Sequence, residues 1–231
     1  MSEEMIHYAL ETRQLGKKIQ LKNNQALSVL HDITLKIPQG SSVAITGTSG
    51  SGKTTLLGLL AGLDTATTGE VCLLGQPMSN MNEDQRAALR LGQVGFVFQS
   101  FHLMSNLSAL ENIMLPLELA HPTQTIQGMA LQALEQVGLS DRAHHLPAQL
   151  SGGEQQRIAL ARAFVSQPKV LFADEPTGNL DQLTGHDIEQ LLFKLQTDNN
   201  STLILVTHDD ALAKQCQLHY RLQDGQLEQA P

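Results

Sequence analysis

The sequence predicts an α/β fold with a mainly parallel core sheet, an N-terminal antiparallel β lobe and a helical subdomain. Three observations predict it. Four short apolar runs, Ser42–Thr46, Val94–Phe98, Val170–Ala173 and Thr202–Thr207, lack the alternation of a half-wet strand and read as strands buried on both faces. Helical patterns lie between them, in the strand–helix–strand order of a wound α/β domain. Two stretches break that order, residues 1–41 and about 105–150, and these supply the lobe and the helical insert.

In chain order, residues 1–41 carry turn signals at Lys22-Asn23-Asn24 and Pro38-Gln39-Gly40, so short antiparallel strands are expected there. Ser42–Thr46 is the first buried strand, and Thr54–Leu63 follows as a helix. After Val94–Phe98, Ser108 and Glu111 have capping-box spacing before an apolar patch, and Gly138 is placed to stop a helix. Glu154–Val165 carries Ile158, Ala161 and Val165 at helical spacing. Val170–Ala173 is the third strand, and the helix Ile188–Leu195 leads to the fourth.

Composition bounds the function. The chain has 231 residues, enough for one domain with a full core, and a net charge of −8. The acidic balance argues against a basic nucleic-acid footprint, and 3% aromatics without Trp against a base-stacking platform. Cys72 and Cys216 lie far apart and read as two reduced thiols. No run approaches the ~18 apolar residues that span a bilayer. The first residues have neither the basic flank nor the apolar core of a signal peptide. A cytoplasmic protein is expected.

Gly47-Thr48-Ser49-Gly50-Ser51-Gly52-Lys53-Thr54 has the spacing Gly-x-x-x-x-Gly-Lys-Ser/Thr between a buried strand and an apolar helix. Glycines let successive backbone N–H groups curl inward around phosphate oxygens, and the helix N-terminus adds positive potential. Lys53 would neutralise the β- and γ-phosphates, Thr54 would coordinate Mg²⁺, and Thr55 completes the nucleotide-binding run. The third strand ends in Asp174-Glu175. Asp174 would hold Mg²⁺ and Glu175 would act as general base on the attacking water. By themselves the two acids also read as a solvated pair before Pro176. Gln99 follows the second strand and can offer an amide oxygen to Mg²⁺ or water; His208 follows the fourth and can donate to a γ-phosphate oxygen. Four strand tips are thus expected to serve one phosphate.

Leu150-Ser151-Gly152-Gly153-Glu154-Gln155-Gln156-Arg157 precedes an apolar helix. Ser151 with Glu154 fits a capping box, which is a purely structural reading. Two glycines in a first helical turn cost roughly 1 kcal/mol each against Ala, however, and would leave the N-terminus bare for an anion.

That octapeptide resembles the signature motif of ATP-binding cassette (ABC) ATPases. The phosphate loop, Gln99, Asp174-Glu175, Gly178-Asn179-Leu180-Asp181 and His208 follow the family's order along essentially the whole chain. The resemblance implies a P-loop NTPase of ABC type, one domain over residues 1–231. In it, about 1–41 form the β lobe, about 100–165 the helical subdomain, and the remainder a RecA-like core. It also implies a homodimer packed head to tail, with ATP and Mg²⁺ between one copy's phosphate loop and the other's Ser151, Gly152, Gly153 and Gln155. Asn179 and Asp181 would communicate across that dimer.

Gly62-Leu63-Asp64 and the run Asp174–Asp181 resemble the group containing the LolD, MacB and FtsE ATPases. Gly95–Phe101 and Leu146–Ser151 most resemble its YbbA branch. The group implies an integral membrane permease as partner (YbbP-, MacB- or FtsX-like) and work on lipids, lipoproteins or related molecules. The ATPase would then sit on the cytoplasmic face of the inner membrane. One stretch departs from the family: Lys17-Lys18-Ile19-Gln20 has no aromatic residue to stack on adenine, and Tyr8 is too early. Either an aliphatic residue such as Ile19 packs on the base or the base is held loosely, and both predict weaker purine discrimination than usual. A soluble ABC ATPase in assembly or repair, or a nucleotide-triggered binding module, are the rival readings.

Overall fold

The computed structural model describes residues 7–20, 26–120 and 126–230. In chain order its first elements are β1 (Tyr8–Gln20), β2 (Ala26–Pro38), β3 (Ser42–Thr46), α1 (Lys53–Leu60), β4 (Thr68–Leu73), β5 (Gln76–Pro77) and α2 (Glu83–Arg90). Next come β6 (Val94–Phe98), α3 (Ala109–Ala120), α4 (Gln127–Gln136), α5 (Gly152–Phe164), β7 (Val170–Asp174) and α6 (Gln182–Asp198). The chain closes with β8 (Thr202–Val206), α7 (Asp210–Ala213), β9 (Leu218–Gln223) and β10 (Gln226–Gln229). These elements form two units, 7–89 with 202–230, and 90–201.

The first unit contains an antiparallel sheet in the order β2-β1-β4-β5. A second set of strands is mainly parallel, with β3 between β8 and β9 and β10 closing a hairpin on β9. Every residue of β3 and β8 is buried, as a strand covered on both faces requires. The antiparallel lobe is built differently from the expectation. β1 and β2 are 13-residue strands, not short ones, and β4 and β5 join them from beyond the phosphate loop. Register shifts between Thr12 and Leu15, and again at Lys17, break the period of two that betrays a long strand in sequence. The expected turn at Lys22-Asn23-Asn24 lies outside the described residues.

In the second unit β6 and β7 run parallel, in register from Val94 opposite Val170 to Phe98 opposite Asp174. α5 packs against α3, α4, α6 and β6. β6 departs from the predicted burial: Gly95 and Val97 are buried, but Val94, Phe96 and Phe98 are only half covered. Their face borders a groove of about 350 Å³ shared with Leu115, Pro116 and the exposed Leu119 of α3. The insert is helical as expected. Ser108 and Glu111 form the predicted capping box, and Gly138, at φ +72°, follows the end of α4. Asn112 is wholly buried, its amide accepting from Met104 N and donating to the carbonyls of Met104, Leu107 and Ser108. Among the described residues no helix is long and apolar enough to cross a membrane. Cys72 and Cys216 are unpaired thiols, and burial pushes the Cys216 thiol up to about 12.

Candidate active site

In the first unit, β3 delivers the chain into the loop 47–52, and α1 starts at Lys53. Gly52 precedes α1 at φ +99°, a conformation open to glycine, and a Cβ there would lie 3.1 Å from Val29 Cγ1. No side chain caps α1 and no acid lies in its first turn, so its N-terminal potential faces the loop undiminished. Lys53 Nζ donates to the carbonyls of Gly47 (2.9 Å) and Thr48 (3.1 Å), which holds the ammonium over the loop. Beneath it Thr46 Oγ1 lies 2.8 Å from His219 Nε2.

The loop borders a cavity of about 950 Å³ within this unit, at the upper end of ordinary ligand pockets. Thr46–Ser51 form one wall; His208, Arg221 and the stretch Leu27–Val29 contribute others. His208 stands on a short connection fixed at both sides. Thr207 Oγ1 accepts from Asp209 N, and Asp209 caps α7 by accepting from the N–H groups of Ala211 and Leu212. The structure therefore brings the phosphate loop and His208 to one cavity. Thr54 is exposed and Thr55 half-buried at the start of α1.

The second unit holds the other predicted residues. Gln99 and Glu175 each follow the last paired residues of the parallel strands, Phe98 and Asp174. Gln99 Nε2 donates to Asn179 Oδ1 at 3.1 Å, and Asn179 Nδ2 donates back to the Gln99 carbonyl at 2.9 Å. The first of these bonds engages the nitrogen of the Gln99 amide and leaves its oxygen as the atom that could face a cation. Thr54 hydroxyl, Gln99 amide oxygen and Asp174 carboxylate are the hard oxygen donors that Mg²⁺ prefers, so the residues fit the ion. Glu175 has φ +49° and is half-buried, and its carbonyl accepts from Gly178 N at 3.1 Å. Asp181 caps α6 by accepting from Thr184 N at 3.1 Å, and hydrogen bonding with Thr184 lowers its carboxyl below the usual value.

The signature helix starts on a complete cap. Ser151 Oγ accepts from Glu154 N, and Glu154 accepts from Ser151 N at 2.8 Å and from Arg142 Nε at 2.9 Å. The Ser151 N–H, then Arg142 and the Ser151 hydroxyl, lower the Glu154 carboxyl to about 2. The serine and glutamate thus fill the role the capping-box reading assigned them, at the Ser151 and Glu154 N–H groups. The glycines have a packing reason that spacing alone did not reveal. A Cβ on Gly153 would stand 2.6 Å from Thr184 Cγ2, and one on Gly152 3.4 Å from Leu180 Cδ2. Gln155 folds back, its Nε2 donating to Leu150 O at 3.1 Å.

Sequence reasoning missed two side chains on α5. Gln156 Nε2 donates to the Pro176 carbonyl. Arg162 donates to the carbonyls of His102 (2.6 Å) and Phe101 (2.8 Å), both residues at positive φ. Their only sequence signal is a polar residue placed on the apolar stripe of a helix.

A family model described as "ABC transporter" matches residues 30–178. The chain is 52% identical over 221 residues to the "Uncharacterized ABC transporter ATP-binding protein YbbA" of Escherichia coli (strain K12), covering 95% of this chain and 96% of that protein. It is 45% identical over 204 residues to the "Lipoprotein-releasing system ATP-binding protein LolD" of Francisella tularensis subsp. tularensis (strain FSC 198), with coverages of 87% and 88%. Among solved structures it resembles the dimeric post-hydrolysis state of the ATP-binding cassette MJ0796 bound to ADP and Pi. The TM-score is 0.87 at 36% identity, over 95% of this chain and 98% of that one. A second dimeric structure of that bacterial ABC transporter cassette gives a TM-score of 0.87 at 37% identity, over 95% and 96% of the two chains.

Proposed function

The chain belongs to the ABC transporter family, and from that premise we propose that its two units act as one ATPase domain. The domain would bind Mg-ATP in a head-to-tail dimer and couple hydrolysis to conformational change in a membrane permease. The reaction of this ATP-binding subunit is ATP plus water to ADP and phosphate. The carrying observation is that Gly47–Ser51, whose Gly47 carbonyl accepts from Lys53 Nζ, line the same cavity as His208. Gly47–Thr55 bind the nucleotide, and Lys53 and His208 stabilise charge on the transferring phosphoryl. Glu175 takes the proton of the attacking water. Mg²⁺, held by Thr54, Gln99 and Asp174, would neutralise charge on the phosphate oxygens. Ser151, Gly152, Gly153 and Gln155 of a second copy complete the site, and Asn179 and Asp181 carry communication between copies.

The likeness to a lipoprotein-releasing ATPase supports a permease of the YbbP, MacB or FtsX kind and export or extraction of lipids or lipoproteins. It also supports a place on the cytoplasmic face of the inner membrane through that permease. The groove beside Phe96, Phe98 and Leu119 suits an apolar segment of the permease. In a steady-state ATPase assay Glu175→Gln should lower turnover at least about a hundredfold, as loss of a general base does. Light scattering should still show a dimer with ATP. Wild-type turnover in that variant would remove Glu175 from the role.

A further inference from the structure

Gln156 is wholly buried on the second turn of α5. Its Nε2 donates to the Pro176 carbonyl, while its Oε1 is buried without a hydrogen-bond partner. A half-satisfied buried carboxamide costs about 1–3 kcal/mol, a cost that an apolar side chain of similar volume avoids. What the amide gains in return is a grip on the backbone one residue beyond Glu175. Glu175 needs such a grip: it is a non-glycine residue at φ +49°, a conformation that costs roughly 1–2 kcal/mol. Proline contributes no N–H and has φ locked near about −65°. Pinning its carbonyl therefore also fixes the direction in which the Glu175–Pro176 peptide leaves the strand. The turn beyond is closed by Gly178 N to Glu175 O and by Leu180 N to Thr177 O.

We propose that Gln156 is a positioning residue for ATP hydrolysis: its carboxamide, carried on the signature helix, holds the Glu175–Pro176 turn so that the Glu175 carboxylate is aimed at the attacking water. This rests on Glu175 as general base. The helix that begins at Ser151 thereby sets the aim of the base through one hydrogen bond.

The test uses the full chain in five forms: wild type, Gln156→Leu, Gln156→Met, Glu175→Gln and the Gln156→Leu/Glu175→Gln double variant. Melting temperature, ATP affinity, KM and kcat are measured for each. Loss of aim costs kcat by about ten- to a hundredfold, so Gln156→Leu should fall in that range with KM and ATP affinity within about twofold of wild type. In the Glu175→Gln background the same substitution should change residual turnover less than about twofold, because there is no base left to aim. Wild-type kcat in the folded Gln156 variants overturns the proposal, as does an equal loss in both backgrounds. Unfolding of both Gln156 single variants makes the contact purely structural and overturns it too. Wild-type turnover in Glu175→Gln refutes the general base itself, an outcome read separately from the Gln156 effect.

Discussion

At the scale of single residues, the loop between β3 and α1 was legible in sequence because its glycines and Lys53 stand at a fixed spacing between a buried strand and a helix. The absence of an aromatic near Ile19 was equally legible, and the structure gives it a setting. Ile19 lies opposite Leu27 in the β1–β2 ladder, and Leu27 lines the cavity beside the phosphate loop. Tyr8, the nearest aromatic in that strand, instead carries the Lys36 ammonium 5.1 Å from its ring centre. An aliphatic surface contacts purines without reading their edges. Competition titrations should therefore show ATP and GTP binding within about fivefold, less than the tenfold that about 1.4 kcal/mol confers. A strong preference for ATP would show that another group reads the base. What single-residue reading could not find was pairing across the chain, such as Gln99 with Asn179, 80 residues apart.

At the scale of elements, the four core strands came through because continuous apolar runs have few other uses. Helices were found where an apolar stripe marks them and missed where it does not. α2 buries no residue at all, so no pattern announced it. α6 begins at Gln182, six residues before the predicted start, because the Asp181 cap and not an apolar face defines its first turns; Leu183 there is 83% exposed. The cap of α5 makes a sharper prediction. Glu154 has an ordinary carboxyl value of 4.5 and a folded value of about 2. A lowered folded value stabilises above the unfolded one, so the contribution is complete above about pH 4.5 and is lost as pH falls toward 2. Side-chain NMR titration of Glu154 should place its midpoint near the lower value, and Arg142→Ala should raise it. Ser151→Ala should cost about 1 kcal/mol in chemical denaturation, the usual worth of an N-cap.

At the scale of the whole molecule, the proposed partner is a membrane permease. The groove on the second unit is where that reading is tested. Leu119 is 70% exposed there, an apolar side chain with no covering element among the described residues. Leu119→Asp should keep the ATPase rate of the isolated chain within about twofold, since surface changes usually perturb a fold little. Pull-down from detergent-solubilised membranes should recover less permease than the wild type does. Undiminished recovery would move the docking surface elsewhere.

The two grips of α5 have a consequence for how such proteins can be recombined. Gln156 holds the turn after β7, and Arg162 holds the bend after β6. Six residues of helix separate them, about 9 Å of rise that cannot stretch. Neither grip reads a side chain of the loop it holds; both take backbone carbonyls. Loop positions other than Gln99, Glu175, Pro176, Asn179 and Asp181 can therefore drift provided their carbonyls keep their places. A chimera that borrows α5 from a relative should tolerate foreign loops, whereas a single residue inserted between the grips would break one of them.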